Sequence, residues 1–221
     1  MKQVYSPGCV LIMYKPHLIQ KVLAYLNEKL ENKEEKVREH QICCQHEALL
    51  ESGTEVVNTC PGCDRRFRES TDGLSTRSLW EIIADDDSFA YPDYQQEVMT
   101  IHDACPTRSE DRVQKAIRAI LERMNIKLVE PAQSKKNSVC CGDSFYEKVP
   151  VEQVKEQMKK RAAGMPCEDV VVYCVSCVKS MHIGGKTPRY LVDLLFNEST
   201  EVGMYEPDEW HDAIDRFIET H

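Results

Sequence analysis

Ten of the eleven cysteines fall into two copies of one arrangement: a single cysteine, an adjacent pair, then a C-x-x-C. The first copy is Cys9, Cys43-Cys44 and Cys60-Pro61-Gly62-Cys63; the second is Cys105, Cys140-Cys141-Gly142 and Cys174-Val175-Ser176-Cys177. Cys167 alone stands outside the pattern. Thiolates drawn in fours and fives from distant parts of a chain are soft ligands, which favour zinc or iron–sulfur clusters over hard, oxygen-seeking cations. Disulfides are the competing use, and the odd cysteine count weighs against them. No apolar run behind a basic patch opens the sequence and no stretch of about 18 apolar residues occurs, which predicts neither a secretion signal nor a membrane span. A cytoplasmic location follows as the expectation. In that reducing compartment repeated cysteines read as metal ligands or redox groups.

The elements that must position these thiols are legible on both sides of each copy. Val56-Val57-Asn58-Thr59 leads into Cys60 as Val170-Val171-Val172-Tyr173 leads into Cys174, and each β-branched run reads as a short buried strand ending at its C-x-x-C. After each C-x-x-C, residues 76–83 and 188–195 read as matching helices. Ahead of each adjacent pair, Leu18, Ile19, Val22, Leu23, Leu26 and Leu30 in one half answer Val113, Ala116, Ile117, Ile120, Leu121 and Met124 in the other, all at helical spacing. Thr107 and Glu110 form a capping-box pattern that places Cys105 just before a helix N-terminus, where free N–H groups favour a thiolate. Strand, cysteine loop, helix and strand in alternation imply parallel sheets with helices packed on them, and ligands that collect beyond the carboxyl ends of the strands.

The expected architecture is therefore α/β, with two halves related by a pseudo-twofold axis: residues 1–90 and residues 91–221. With 221 residues, 42% of them hydrophobic, the chain can bury the cores this requires. The acidic, aromatic stretch 85–94 has neither period and reads as the linker, and Val98-Met99-Thr100-Ile101 opens the second half as a strand. The halves are unequal: 32 residues separate Cys141 from Cys174, including a helix-prone segment over 151–163 closed by Gly164, whereas 15 separate Cys44 from Cys60. The first half has lost a helix, and its site is expected to be more open. Gly142 after the second pair is expected to let backbone approach a cluster; Gln45 holds that place in the first. Residues 206–217 read as an amphipathic helix, with Trp210, Ala213, Ile214 and Phe217 on one face, that packs on the body or docks a partner. The run Glu31, Lys33, Glu34, Glu35, Lys36 and Arg38 reads as a solvated helix end, and Cys167 as a small buried residue. The net charge of −9, without a basic stripe, argues against nucleic acid and anionic membrane surfaces.

A single cysteine, CC(G) and C-x-x-C at these spacings, twice over residues 4–195, resembles the cysteine-rich CCG domain found in the B subunit of heterodisulfide reductase and in iron–sulfur subunits of lactate-utilisation and glycolate-oxidase systems. His102-Asp103-Ala104-Cys105 is similar to the family's HDxC motif. The resemblance implies that each complete copy holds a noncubane [4Fe-4S] cluster on five thiolates: Cys105, Cys140, Cys141, Cys174 and Cys177 for one, and Cys9, Cys43, Cys44, Cys60 and Cys63 for the other. It further implies that the two clusters meet and split a disulfide substrate between them. The second copy fits the family pattern fully; the shortened first leaves a cluster, zinc or neither open. No ferredoxin-type cysteine run and no G-x-G-x-x-G is present, so electrons must come from another subunit, a ferredoxin-like chain or a flavoprotein, and exposed clusters would call for anaerobic handling. His102 and His46, close to the cysteines in sequence, are candidates for ligand or proton donor, against the simpler role of orienting a loop or hydrogen-bonding sulfur. Three functions stay open: a disulfide-reducing subunit, an electron relay with one cluster, and a zinc-stabilised interaction module.

Overall fold

The computed structural model describes residues 2–29, 36–69 and 73–220. The strands are β1 (Gln3–Ser6), β2 (Arg38–Glu39), β3 (Glu55–Asn58), β4 (Ser75–Ser78), β5 (Val98–His102), β6 (Lys127–Val129), β7 (Asp169–Val172) and β8 (Thr187–Tyr190). They form two parallel four-stranded sheets in the orders β2-β1-β3-β4 and β6-β5-β7-β8, one topology used twice. Val4 lies against Val56 in one sheet and Ile101 against Val171 in the other. The helices are α1 (Cys9–Tyr14), α2 (Pro16–Lys29), α3 (Pro61–Glu69), α4 (Leu79–Ala84), α5 (Asp111–Arg123), α6 (Val151–Ala163), α7 (Val175–Ile183), α8 (Leu191–Leu195) and α9 (Pro207–Thr220). α2 and α5 bury Leu18, Ile19, Val22, Leu26 and Val113, Ala116, Ile117, Ile120, Leu121, as their periodicity predicts. Leu30, Glu31, Lys33, Glu34 and Glu35 lie outside the described residues.

One apolar core runs through both halves, from Tyr5 and Trp80 to Val171 and Leu194. Trp80 of α4 meets Tyr173 edge-on at 6.5 Å. A buried ion pair, Lys15 Nζ to Asp193 at 2.7 Å, joins the end of α1 to α8. The stretch 85–97 carries no helix or strand, yet its tyrosines are tied in: Tyr91 donates to the Ile83 carbonyl and Tyr94 to that of Leu194.

Three local expectations need correction. The helices read over 76–83 and 188–195 begin as edge strands, β4 and β8, and turn helical at Leu79 and Leu191, because the open flanks of β3 and β7 offer parallel partners to the extended residues. The capping box is at Ser78 and Glu81; Thr107 instead donates to the Ala104 carbonyl from a 3-10 turn, Cys105–Thr107. Cys167 is partly exposed. Gly142 adopts a left-handed conformation, φ 112°, its N–H reaches the Cys140 Sγ at 3.4 Å, and a Cβ there would also meet Met158 of α6 at 2.6 Å. The first half has no helix between Cys44 and β3, and Gln45 is accordingly accommodated.

Candidate metal centre

The central strands β1, β3, β5 and β7 each deliver a cysteine just beyond their carboxyl end. β1 runs through Pro7-Gly8 into Cys9, the first residue of α1. Gly8 has φ +85°, and a Cβ on it would stand 2.7 Å from the Cys60 Cβ and 3.3 Å from the Cys63 Sγ, so only glycine lets α1 approach the C-x-x-C turn this closely. β3 leads to Cys60, whose sulfur receives the Gly62 and Cys63 backbone N–H groups at the start of α3. The loop after β2 supplies Cys43 and Cys44. Electrostatic coupling between neighbouring thiols joins the five in the order Cys9, Cys43, Cys44, Cys63, Cys60.

The second half repeats this order: Cys105, Cys140, Cys141, Cys177, Cys174. Its loops are more heavily braced. Asp103 takes two 2.8 Å bonds from the Arg118 guanidinium and the Lys135 backbone N–H, and Ser138 Oγ donates to the Asp103 carbonyl. The Tyr173 hydroxyl accepts from the Ala104 N–H at 2.9 Å. Cys140 receives the Ser144 hydroxyl at 3.0 Å and the Gly142 N–H at 3.4 Å.

Both cups share an electrostatic design. Cys43 accepts from Cys44 and Cys9, which pulls its pKa down to about 2; Cys140 is pulled far down by Cys105 and Cys141. Their donors move the other way: Cys44 rises to about 12 beside Cys43, and Cys9 and Cys105 rise for the same reason. Cys60, taking bonds from Cys63 and the α3 N-terminus, falls to about 7. A thiolate is thus favoured at the first cysteine of each adjacent pair, and the other thiols stand ready to lose protons to a metal.

The surroundings differ. Beside the second cup lie three buried nitrogen groups. Lys179 of α7 pairs with Asp143 at 2.6 Å, Arg161 of α6 is almost fully covered, and a ring nitrogen of His102 lies within 4.8 Å of the Cys141 and Cys177 sulfurs. Burial, then the Arg161 charge, lowers the His102 pKa to about 3. The first cup has a buried carboxylate, Asp64, held by Arg68 at 2.6 Å. His46 is exposed and bonds the Ile218 carbonyl of α9. At the other end of α9, His211 bonds Asp143 at 3.1 Å and Trp210 lies over the Lys179 ammonium, so the C-terminal helix packs on the body, touching the margins of both cups.

The cups adjoin. Cys60 and Cys174 line one narrow crevice together with Tyr190. Cys60 and Gly62 also border a cavity of about 240 Å³ that is walled by His102, Cys105, Cys140, Cys141, Cys174 and Cys177. All ten pattern cysteines are thereby gathered in two groups, and Cys167 is in neither. An all-sulfur donor set of this kind, in a cradle that a Cβ at Gly8 would fill, fits a thiolate-bound metal group. Sequence reasoning missed Lys179, Arg161 and Asp143. The two cations sit inside helices whose polar residues look solvated, and only the sheet topology turns them inward.

No curated protein matches the chain. Among solved structures it is similar to glutamate racemase isoform RacE1 from Bacillus anthracis, at 9% identity over 98% of this chain and 82% of that one, TM-score 0.38. It is also similar to Picrophilus torridus aspartate racemase, at 12% identity over 89% of this chain and 94% of that one, TM-score 0.35. Residues 99–182 match the family model of the cysteine-rich CCG domain, so the second half, from Met99 in β5 to His182 in α7, carries a CCG cysteine-rich domain.

Proposed function

We propose that the chain is an iron–sulfur redox subunit of the disulfide-reductase type, holding two noncubane [4Fe-4S] clusters on its ten pattern cysteines. One observation carries the reading: five thiols in each half, linked in one order, with Cys60 and Cys174 bordering a common crevice. The thiol spread supports a multinuclear group over a single ion. Four thiolates on zinc stand about 3.8 Å apart, from bonds of about 2.3 Å. Among the described residues, the one set of three or more metal-binding side chains that closes to within 4.8 Å is His102, Cys141 and Cys177, and no four thiols do so.

The bound clusters would supply single electrons and iron sites for a thiolate. The chain's own residues do the rest. Lys179 and Arg161 offset the negative charge of the five thiolates, of which Cys141 and Cys177 are buried, and of sulfide. Cys60 and Cys174 hold the two sites against one opening, and the 240 Å³ cavity gives a small disulfide room at the second site. The overall step is R–S–S–R plus two electrons and two protons giving two R–SH. The electrons come from a ferredoxin-like or flavoprotein partner and the protons from solvent. The test is turnover of small disulfides by anaerobically purified protein with a one-electron dye as donor. Thiol released at two per two electrons consumed is expected; clusters that cycle with the dye while every disulfide remains intact would overturn the disulfide reading and leave electron relay.

A further inference from the structure

His102 and Arg161 form a device that exists in one half only. His102 is the last residue of β5, three before Cys105; the matching place in β1, three before Cys9, is Ser6. Arg161 comes from α6, which has no counterpart in the first half. Arg161 is 4% exposed and held by the Gln133 carbonyl at 2.8 Å. Its Nε–H donates to His102 Nδ1 at 3.1 Å. Arginine does not give up its proton in proteins, so Nδ1 is the acceptor and the imidazole hydrogen must sit on Nε2. His102 is 1% exposed, and Nε2 has no hydrogen-bond partner. What stands near the ring is sulfur: Cys141 and Cys177, within 4.8 Å of a ring nitrogen, in the wall of the cavity that His102 also lines.

A buried N–H without an acceptor is costly, and a thiolate or sulfide supplies one. A metal would require the Nε2 lone pair, hence a hydrogen on Nδ1 opposing that of Arg161 Nε. Resting on the cluster reading above, we propose that His102 donates an Nε2–H hydrogen bond to sulfur at the second cluster and raises that cluster's reduction potential over the first, with Arg161 as the positioning residue that fixes the tautomer. One-electron reduction adds negative charge to the sulfurs, and a donor aimed at them strengthens as that charge grows. Because Ser6 and the missing helix leave the first half without this donor, the second cluster is the electron's resting place.

The experiment is an equilibrium redox titration followed by electron paramagnetic resonance, on the full chain purified anaerobically. In H102L the second cluster keeps its iron and becomes about tenfold harder to reduce, about 59 mV for a one-electron couple, while the first cluster does not move. R161M gives a smaller shift of the same sign. Loss of about half the iron in H102L with the fold intact would make His102 a ligand and overturn the proposal, as would an unchanged potential. Where H102L does not fold, pulsed resonance on wild-type protein labelled with ¹⁵N-histidine decides. A weak nitrogen coupling is expected; a strong, directly ligated coupling or none at all contradicts it. Protein without iron overturns the cluster reading itself and is recognised before any potential is measured.

Discussion

At the scale of single residues, the two cups are separable by substitution because each thiol belongs to one of them. Cys140→Ser and Cys141→Ser remove the thiolate-favouring centre of the second cup and its most buried neighbour. Each is expected to release about half the iron, since each proposed cluster would hold four, whereas Cys167→Ser leaves iron content unchanged; equal loss in all three would refute the assignment. Gly8 offers a second test. Gly8 and Gly53 share φ +85°, but a Cβ at Gly53 meets nothing within 4 Å while one at Gly8 strikes Cys60. Gly53→Ala should cost about 1–2 kcal/mol in a denaturation midpoint, the price of a left-handed alanine. Gly8→Ala should cost more and lower first-cup iron selectively. The cysteine pattern was the most legible feature of the sequence because ligand chemistry needs particular atoms at fixed spacings. Arg161 and Lys179 were not, because a buried cation looks like a surface one until its helix is placed.

At the scale of elements, the short, β-branched strands β3, β5 and β7 and the helices α2, α5 and α6 could be read directly, since burial on both sheet faces and one-sided helix burial leave distinct periods. Residues 76–78 and 188–190 could not: their pairing with β3 and β7 is made by backbone groups distant in sequence, which no local period reports. The seat of α9 was equally hidden, because an amphipathic face does not name its partner. Trp210 is 6% exposed and covers Lys179, with His211 bonded to Asp143 and stacked on Tyr146 at 3.8 Å. Trp210→Ala should therefore destabilise the protein by about 3 kcal/mol, read as a urea midpoint, and hasten bleaching of the second cluster in air. A midpoint and bleaching rate equal to wild type would mean that α9 does not shield the site.

At the scale of the whole molecule, a repeated topology is joined by a shared core and a buried ion pair rather than by the linker alone. Lys15 is 8% and Asp193 0% exposed in their side chains. Lys15→Met leaves the buried Asp193 carboxylate without its cation and should cost about 3–5 kcal/mol. Both halves should lose structure together, observed as one transition by circular dichroism and by tryptophan fluorescence. Separate transitions would show that each half stands alone. The joint also keeps Cys60 and Cys174 on one crevice, on which the proposed two-electron reaction between the halves would depend. The most direct measurement is iron, acid-labile sulfide and zinc per chain in protein kept anaerobic from lysis onward. Two five-thiol cups predict about eight irons with matching sulfide; zinc without iron would contradict the account.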